Sequence, residues 1–305
     1  MTSADNANLW IVDHDLRSKA QMDGIEILES PEAWAKYEWT HQYFAQEPSS
    51  GYFMWIKKQP SCALFSCVNI KGQNIKQDLQ NLTVIEAGIQ GQMSGTCAAM
   101  SLKLKGTHQA QGKVILRKGA QMQYSHIHRW GKKDVVMPNY EFILEDDAQL
   151  DYTYKITKCP EKIDLKNKFI LQDRAKVQLN IVADCQNTNF NSLDEIVLQG
   201  DESSGMSTLK FVARENSQIK AYSRLLAEGA GTGHLDCESL NLADSAEVSL
   251  IPDVTVKNKN AQVTHEASIG KVSQDQLNYL QMRGLSEEQA IELIASGFLK
   301  VAEEK

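Results

Sequence analysis

Hydrophobic and polar residues alternate along most of this chain, from Tyr52 to about Lys271. Alternation over short runs predicts β-strands with one buried face, and these runs are rich in β-branched and aromatic residues. Short polar segments such as residues 145–147 and 172–174 separate the runs. The pattern therefore predicts a mainly β domain over residues 52–271.

A three-residue pattern recurs within these runs: a small residue, then a long polar residue, then an aliphatic one. Its first residues are Ala120, Ala148, Ala175, Ser217, Ala246 and Ala261. The early intervals are 28 and 27 residues, whereas the last is 15, which indicates two strands per turn of a coil. A β-sandwich would also alternate, but it gives no reason for these intervals. We therefore predict a parallel β-helix.

The repeat also suggests which residues carry chemistry. With a further repeat start near Thr232, Cys237 and Glu266 both lie five places past a repeat start, 29 residues apart. Residues one turn apart in a parallel β-helix stack at about 4.8 Å, and a thiolate beside a carboxylate is a candidate iron site. The alternation that points Val263 inward also points His265 inward and Glu266 outward. His265 is then either a further ligand or a hydrogen-bonded interior residue.

Two ligands are too few for a stable metal or cluster site. A two-fold interface would double the ligand count and exclude water, because both copies present the same surface to each other. We therefore predict that a second copy of the chain completes the site.

The two ends of the chain differ from the repeats. Residues 1–51 predict a small mixed α/β region that contains a helix, and a turn-rich segment, residues 46–51, precedes the core. Residues 272–305 change to a helical period, with S-x-x-Q capping boxes beginning at Ser273 and Ser286. Gly284 and Gly297 stand where the two helices should end. This helical hairpin would either cap the open end of the coil or dock a partner.

Composition narrows the class of protein. The chain has 305 residues, 42% hydrophobic and 23% charged, with a net charge of −7, which argues against nucleic-acid binding. It has no basic, apolar N-terminal leader and no run of 18 apolar residues, so we expect a cytoplasmic protein without membrane association. The cysteines should therefore be thiols, most often buried structural ones. They are Cys62, Cys67, Cys97, Cys159, Cys185 and Cys237.

Two further motifs bear on chemistry. His126 and His128 form an H-x-H on one strand face, which is a known metal spacing but is also common in hydrogen-bonded pairs. The chain has no Gly-x-x-x-x-Gly-Lys-Ser/Thr loop, so we expect no nucleotide site in it. Any use of ATP must then come from another polypeptide.

Residues 265–272, the helix of residues 273–284 and the second helix of residues 285–298 closely resemble the SufB/SufD family of iron–sulfur cluster assembly scaffolds. Upstream, residues 233–239 match the Cys-Asp/Glu-Ser segment of that family. The resemblance implies a right-handed parallel β-helix and a C-terminal helical region that binds a SufC-like ABC-type ATPase. It implies roles for Cys237 in sulfur acceptance and for Glu266 as a second ligand, whereas His265 matches the functional residue of the SufD branch.

This chain carries all three residues, which is similar to a short, homodimeric form of the scaffold. It is much shorter than typical SufB, and Thr264 stands where SufB has an acidic residue. We therefore expect a non-enzymatic scaffold that holds a transient iron–sulfur cluster. Its expected partners are the ATPase, a second copy, a sulfur donor and apo-protein acceptors. Two alternatives remain open: a β-helix polysaccharide lyase or hydrolase, and a non-catalytic structural adaptor.

Overall fold

The structure is a computed structural model that describes residues 8–20 and 22–300. The described residues form nineteen β-strands, three α-helices and one 3₁₀ helix. In chain order, strands β1 to β19 are Leu9–Val12, Asp15–Lys19, Ile25–Glu29, Tyr52–Ile56, Leu64–Ile70, Lys76–Ile85, Gln90–Ala99, Thr107–Leu116, Gln121–Arg129, Val135–Leu144, Gln149–Lys158, Lys162–Leu171, Lys176–Cys185, Asn189–Leu198, Ser204–Ala213, Gln218–Ala227, Thr232–Asn241, Glu247–Val256 and Gln262–Lys271. The α-helices are α1 (Ser30–Lys36), α2 (Gln274–Met282) and α3 (Glu287–Lys300), and the 3₁₀ helix is Glu38–Gln42.

The strands wind into a solenoid of about 8 turns, which confirms the predicted β-helix. From β4 onward the chain alternates between two sheets, so each turn gives one strand to each. Sheet A has the order β19-β17-β15-β13-β11-β9-β7-β5-β1-β2, and sheet B has the order β18-β16-β14-β12-β10-β8-β6-β4-β3. The turn-to-turn pairs are parallel, as in β11 with β13 and β10 with β12.

The core is the lumen between the two sheets. Alternate residues of each strand point into it, as the alternation predicts, and Tyr152 and Tyr154 are fully buried. Phe142 stacks on Phe169 of the next turn with ring centroids 4.6 Å apart. Each fully buried side chain of this size contributes roughly 1.5–3 kcal/mol of transfer free energy. The column of such contacts along the lumen holds the turns together.

The N-terminal residues take part in both sheets. β1 pairs in parallel with β5, and β3 pairs antiparallel with β4. Helix α1 begins with Pro31 in its first turn, and its Ala33 is buried against the outer face of sheet B. The first two solenoid strands, β4 and β5, are therefore paired on both of their edges.

The last turn is longer than the one before it. Ser204 pairs with Thr232, 28 residues on, but His234 of that strand pairs with Thr264, 30 residues on. The corners of the last turn, residues 242–246 and 257–261, are each one residue longer than the preceding corners, residues 214–217 and 228–231. The predicted stacking of Cys237 on Glu266 is therefore wrong by one residue.

The C-terminal hairpin has the predicted capping boxes. Ser273 Oγ accepts a hydrogen bond from the backbone N–H of Gln276, and Ser286 forms the same reciprocal pair with Gln289. Gly284, at φ 91°, follows α2 as predicted. Gly297 does not end α3, which continues to Lys300.

The hairpin does not cap the open end of the solenoid, so that alternative is wrong. Helix α3 instead packs on the outer face of sheet A, where Ala295 is buried with Val212 and Leu240. Phe298, beyond Gly297, joins the same cluster, so packing holds the helix together past the glycine. The described residues contain no helix that is long and apolar enough to span a membrane.

Candidate functional site

Cys237 lies on the inner face of β17, one strand below the open end of the solenoid. Its side chain is 0% exposed, and its register neighbours are Leu209 below and Ala267 above. Burial, with a smaller contribution from the nearby Asp194 and Asp236 carboxyls, raises the pKa of its thiol to about 12. At neutral pH the thiol is therefore protonated, and a thiol binds metal and attacks sulfur far less readily than a thiolate.

Glu266 lies on the outer face of β19, as its strand parity predicts. It pairs with Asp236, and its side chain is 68% exposed. His234 Nε2 lies 3.3 Å from a Glu266 carboxylate oxygen, and His234 Nδ1 lies 2.7 Å from the Thr264 hydroxyl. If the His234 ring is neutral and its Nε2–H donates to the Glu266 carboxylate, its Nδ1 must accept a hydrogen bond from the Thr264 hydroxyl. Thr264, which stands where SufB has an acidic residue, thus orients an exposed His–Glu pair.

His265 points to the inner side of β19, in the same parity as Val263, which confirms its predicted direction. It pairs with Leu235, two positions before Cys237, so the Cα atoms of His265 and Cys237 are about 8 Å apart on the strand geometry. It is exposed because β19 is the outermost strand of sheet A among the described residues. The structure thus places Cys237 and His265 on one side of sheet A and Glu266 on the other.

The open end around these residues is apolar and only partly covered. The inner faces of β18 and β19 carry Val248, Leu250, Val254 and Val263, which are half-buried, and Ile269, which is exposed. Each of these two strands is the outermost in its sheet, so one backbone edge of each is unpaired by strands of the described chain. Such edges are sites for strand addition or for contact with another chain.

A second group of chemically capable residues lies deeper in the lumen. Cys97 on β7 and His126 and His128 on β9 are buried, and their ligand atoms all lie within 4.8 Å of one another. Burial lowers the pKa of His126 to about 3, so its ring is neutral. The H-x-H was visible in the sequence, but Cys97 was not linked to it. The 31-residue interval between Cys97 and its register partner His128, one turn of the solenoid at this point, was the available signal.

Comparison with known proteins identifies the family. Residues 68–298 match the family described as "SUF system FeS cluster assembly, SufBD core domain". Similar proteins include an "Iron-sulfur cluster assembly SufBD family protein" of Methanothermobacter thermautotrophicus, 24% identical over 92% of this chain and 74% of that protein. A protein of the same description from Archaeoglobus fulgidus is 24% identical over 92% of this chain and 80% of its own length.

A bacterial relative has a more specific name. The "Iron-sulfur cluster assembly protein SufB" of Bacillus subtilis is 24% identical over 83% of this chain and 56% of that protein. The family match spans the solenoid from β5 to β19 and both C-terminal helices, including Cys237, His265 and Glu266. The predicted SufB/SufD resemblance is thereby confirmed, and the chain belongs to the SufBD core-domain family of iron–sulfur cluster assembly proteins.

Proposed function

We propose that this protein is a cytoplasmic scaffold on which a nascent iron–sulfur cluster is built at the open end of the solenoid. Cys237 would accept sulfur and bind the cluster, and His265 and Glu266 would supply further ligands. The observation that carries the proposal is the position of Cys237 within the family match, a single turn below an uncovered end. The cluster is cargo, and no step of its assembly requires this chain to be an enzyme.

The protonation state of Cys237 supports a site that must open before it is loaded, by displacement of the last turn of the solenoid. In the closed state its pKa is raised to about 12, and Ala267 of the last turn lies over it. Displacing the β18–β19 turn would admit water and return the thiol toward an ordinary pKa of about 8.5. Opening would therefore increase the fraction of thiolate, the form that iron and sulfur loading require.

A second copy of the chain is the partner best suited to the open end. Cys237 and Glu266 face opposite sides of sheet A, so one chain does not direct both at one ion. The unpaired edge of β19 and the half-buried apolar face beside it would be buried in an isologous contact. Such a contact would place ligands from two chains around one cluster.

The C-terminal hairpin is suited to bind a SufC-like ABC-type ATPase. Tyr279, Met282 and Leu293 are exposed apolar side chains on it. Helix α3 also contacts the strands near the site: Lys210 Nζ lies 4.9 Å from the centre of the Phe298 ring and 2.5 Å from Glu238 on β17. A partner that moves α3 would therefore act directly on the strand that carries Cys237.

Anaerobic reconstitution tests the assignment of Cys237. Wild-type protein is incubated with Fe²⁺ and sulfide, and bound iron, sulfide and cluster absorbance are measured. We expect Cys237→Ala to lose cluster binding and Cys185→Ala, which removes a second fully buried lumenal thiol, to retain it. Full loading of Cys237→Ala would reject the assignment and favour a structural adaptor.

Sedimentation tests the second copy. Ile269→Arg places a charge on the exposed inner face of β19. It should raise the dissociation constant of the dimer at least tenfold. Phe65→Arg changes a similarly exposed apolar residue on β5, near the opposite end of sheet A, and should leave the dissociation constant unchanged. A wild-type chain that sediments only as a monomer would contradict a dimeric site.

Binding to a co-expressed SufC-like ATPase tests the hairpin. Met282→Asp should weaken complex formation, measured by size-exclusion chromatography of the purified mixture. Leu102→Asp, an exposed apolar residue in the corner between β7 and β8, should leave it intact. Equal binding by both variants would place the ATPase contact elsewhere.

The carbohydrate-active alternative finds less support. Glycoside hydrolysis needs two carboxyl groups that face one open cleft. The groove of about 620 Å³ on the outer face of sheet A has six glutamines among its fourteen lining residues, and its described lining includes one carboxylate, Asp151.

A further inference from the structure

The lumenal Cys–His cluster comprises Cys97, His126, His128 and His108. Cys97 and His128 are register partners on adjacent turns of sheet A, and His126 shares a strand face with His128. His108 enters from β8 of sheet B, on the opposite wall. All four side chains are at most 4% exposed. The winding therefore collects one thiol and three imidazoles from three strands in one dry space.

Two distances among these groups are within a few tenths of an ångström of the edges of a tetrahedral metal site, and the ligand atoms of Cys97, His126 and His128 all lie within 4.8 Å of one another. Cys97 Sγ lies 3.2 Å from His126 Nε2, and His126 Nε2 lies 3.1 Å from His128 Nε2. Zinc bonds of about 2.0–2.1 Å to nitrogen and about 2.3 Å to sulfur give tetrahedral edges of about 3.4 Å (N to N) and about 3.6 Å (N to S). If the three ligand atoms moved by a few tenths of an ångström, they could all bind one ion.

His108 supplies an independent observation that points to a ligand. Its Nδ1 lies 2.6 Å from Gln77 Oε1, and because an amide oxygen only accepts, Nδ1 carries the proton. The lone pair is then on Nε2, which has no hydrogen-bond partner among the described residues and is buried. The His108 and His128 rings meet edge to face with centroids 6.1 Å apart. An unpaired buried acceptor is unfavourable because it has lost its hydration without gaining a partner, and a metal ion beside it would remove that cost.

The hydrogen bonds of the His128 ring show what metal binding would change. Trp130 Nε1–H donates to His128 Nδ1 at 3.0 Å, so without metal the His128 proton is on Nε2 and faces His126. Binding through Nε2 would move that proton to Nδ1, from which it can donate to the Tyr154 hydroxyl 3.0 Å away. Cys97 would lose its thiol proton to solvent. Each bound divalent ion therefore releases one proton and deprives Trp130 of its acceptor.

We propose that Cys97, His126 and His128, with His108 as fourth ligand, bind one Zn²⁺ ion inside the solenoid. A thiolate with imidazoles is a donor set that Zn²⁺ prefers, and four protein ligands make a closed, structural site. The site is distinct from Cys237, which lies on β17, four sheet A strands further along than β9. Zinc would tie β7, β8 and β9 together across the lumen.

Metal content and spectroscopy test the proposal. A full-length chain carrying Cys237→Ala, so that the open end contributes no thiolate, is unfolded with chelator and refolded anaerobically with Zn²⁺ or Co²⁺. We expect one metal per chain after excess ion is removed, a thiolate-to-Co²⁺ charge-transfer band, and a changed Trp130 emission. Adding Cys97→Ala should abolish the band and weaken affinity at least tenfold, whereas adding Cys185→Ala should change neither.

Circular dichroism of each variant establishes that it has refolded. If Cys97→Ala does not refold, His108→Asn serves instead, and a tenfold or greater loss of affinity is again expected. Failure of the parent chain to take up stoichiometric Zn²⁺ or Co²⁺, or a charge-transfer band that survives Cys97→Ala, overturns the proposal. Neither result bears on cluster assembly at Cys237.

Discussion

The substitution Asp194→Asn tests whether burying a carboxyl in the lumen makes the stability of the fold depend on pH. Asp194 lies on the inner face of β14 and is 1% exposed. Asn167 Nδ2 donates to Asp194 Oδ1 at 2.7 Å, whereas Asp194 Oδ2 has no hydrogen-bond partner among the described residues. Burial raises the pKa of this carboxyl from 3.8 to about 7, since the hydrogen bond offsets only part of the lost hydration.

The sign and size of the effect follow from linkage. Between pH 4 and pH 7 the folded chain keeps the Asp194 proton and the unfolded chain releases it, so stability falls as pH rises. A shift of about three pKa units corresponds to about 4 kcal/mol, fully expressed above pH 7. Asparagine has nearly the same shape and no charge. Asp194→Asn should therefore match wild type at pH 4 and be more stable by about 4 kcal/mol at pH 8.

Urea unfolding followed by circular dichroism at several pH values measures this difference. Asp146→Asn, at a solvent-accessible corner carboxyl, is the control and should not reproduce the pH dependence. A stability difference between Asp194→Asn and wild type that stays constant from pH 4 to pH 8 would refute the reasoning. It would show that the carboxyl is hydrated or paired in solution.

Two further predictions concern access and packing. Native protein treated with iodoacetamide at pH 7.5 should be modified at exposed Cys62 and not at buried Cys237, as read by peptide mass spectrometry; rapid modification of Cys237 would mean that the last turn is open at rest. Gly112→Ala should destabilise the fold by about 1–3 kcal/mol or more, because a Cβ there would lie 2.2 Å from the Tyr140 ring. Gly270→Ala, whose nearest neighbour atom is 3.9 Å away, should be nearly neutral in the same thermal unfolding assay.

The sequence by itself determined the strands, the coil and the helix starts. Alternation fixes which face of each strand is buried, because successive side chains point to opposite sides of a sheet. The repeat interval fixes one strand per sheet per turn. The capping boxes that begin at Ser273 and Ser286 form their hydrogen bonds within segments of four residues. Each of these signals is local, so none depends on where distant residues lie. The inward direction of His265 follows from the same local rule.

Tertiary structure alone decided which residues meet. The register of each turn depends on the lengths of its corners, so the one extra residue in each corner of the last turn places Ala267 rather than His265 opposite Cys237, and Glu266 pairs with Asp236 on the outer face. The burial of Asp194 and the convergence of His108 with Cys97 from opposite walls likewise depend on how the two sheets face each other. The sequence shows on which face of its strand each side chain lies. Contacts across the lumen depend on how the two sheets are placed relative to each other, which only the folded solenoid determines.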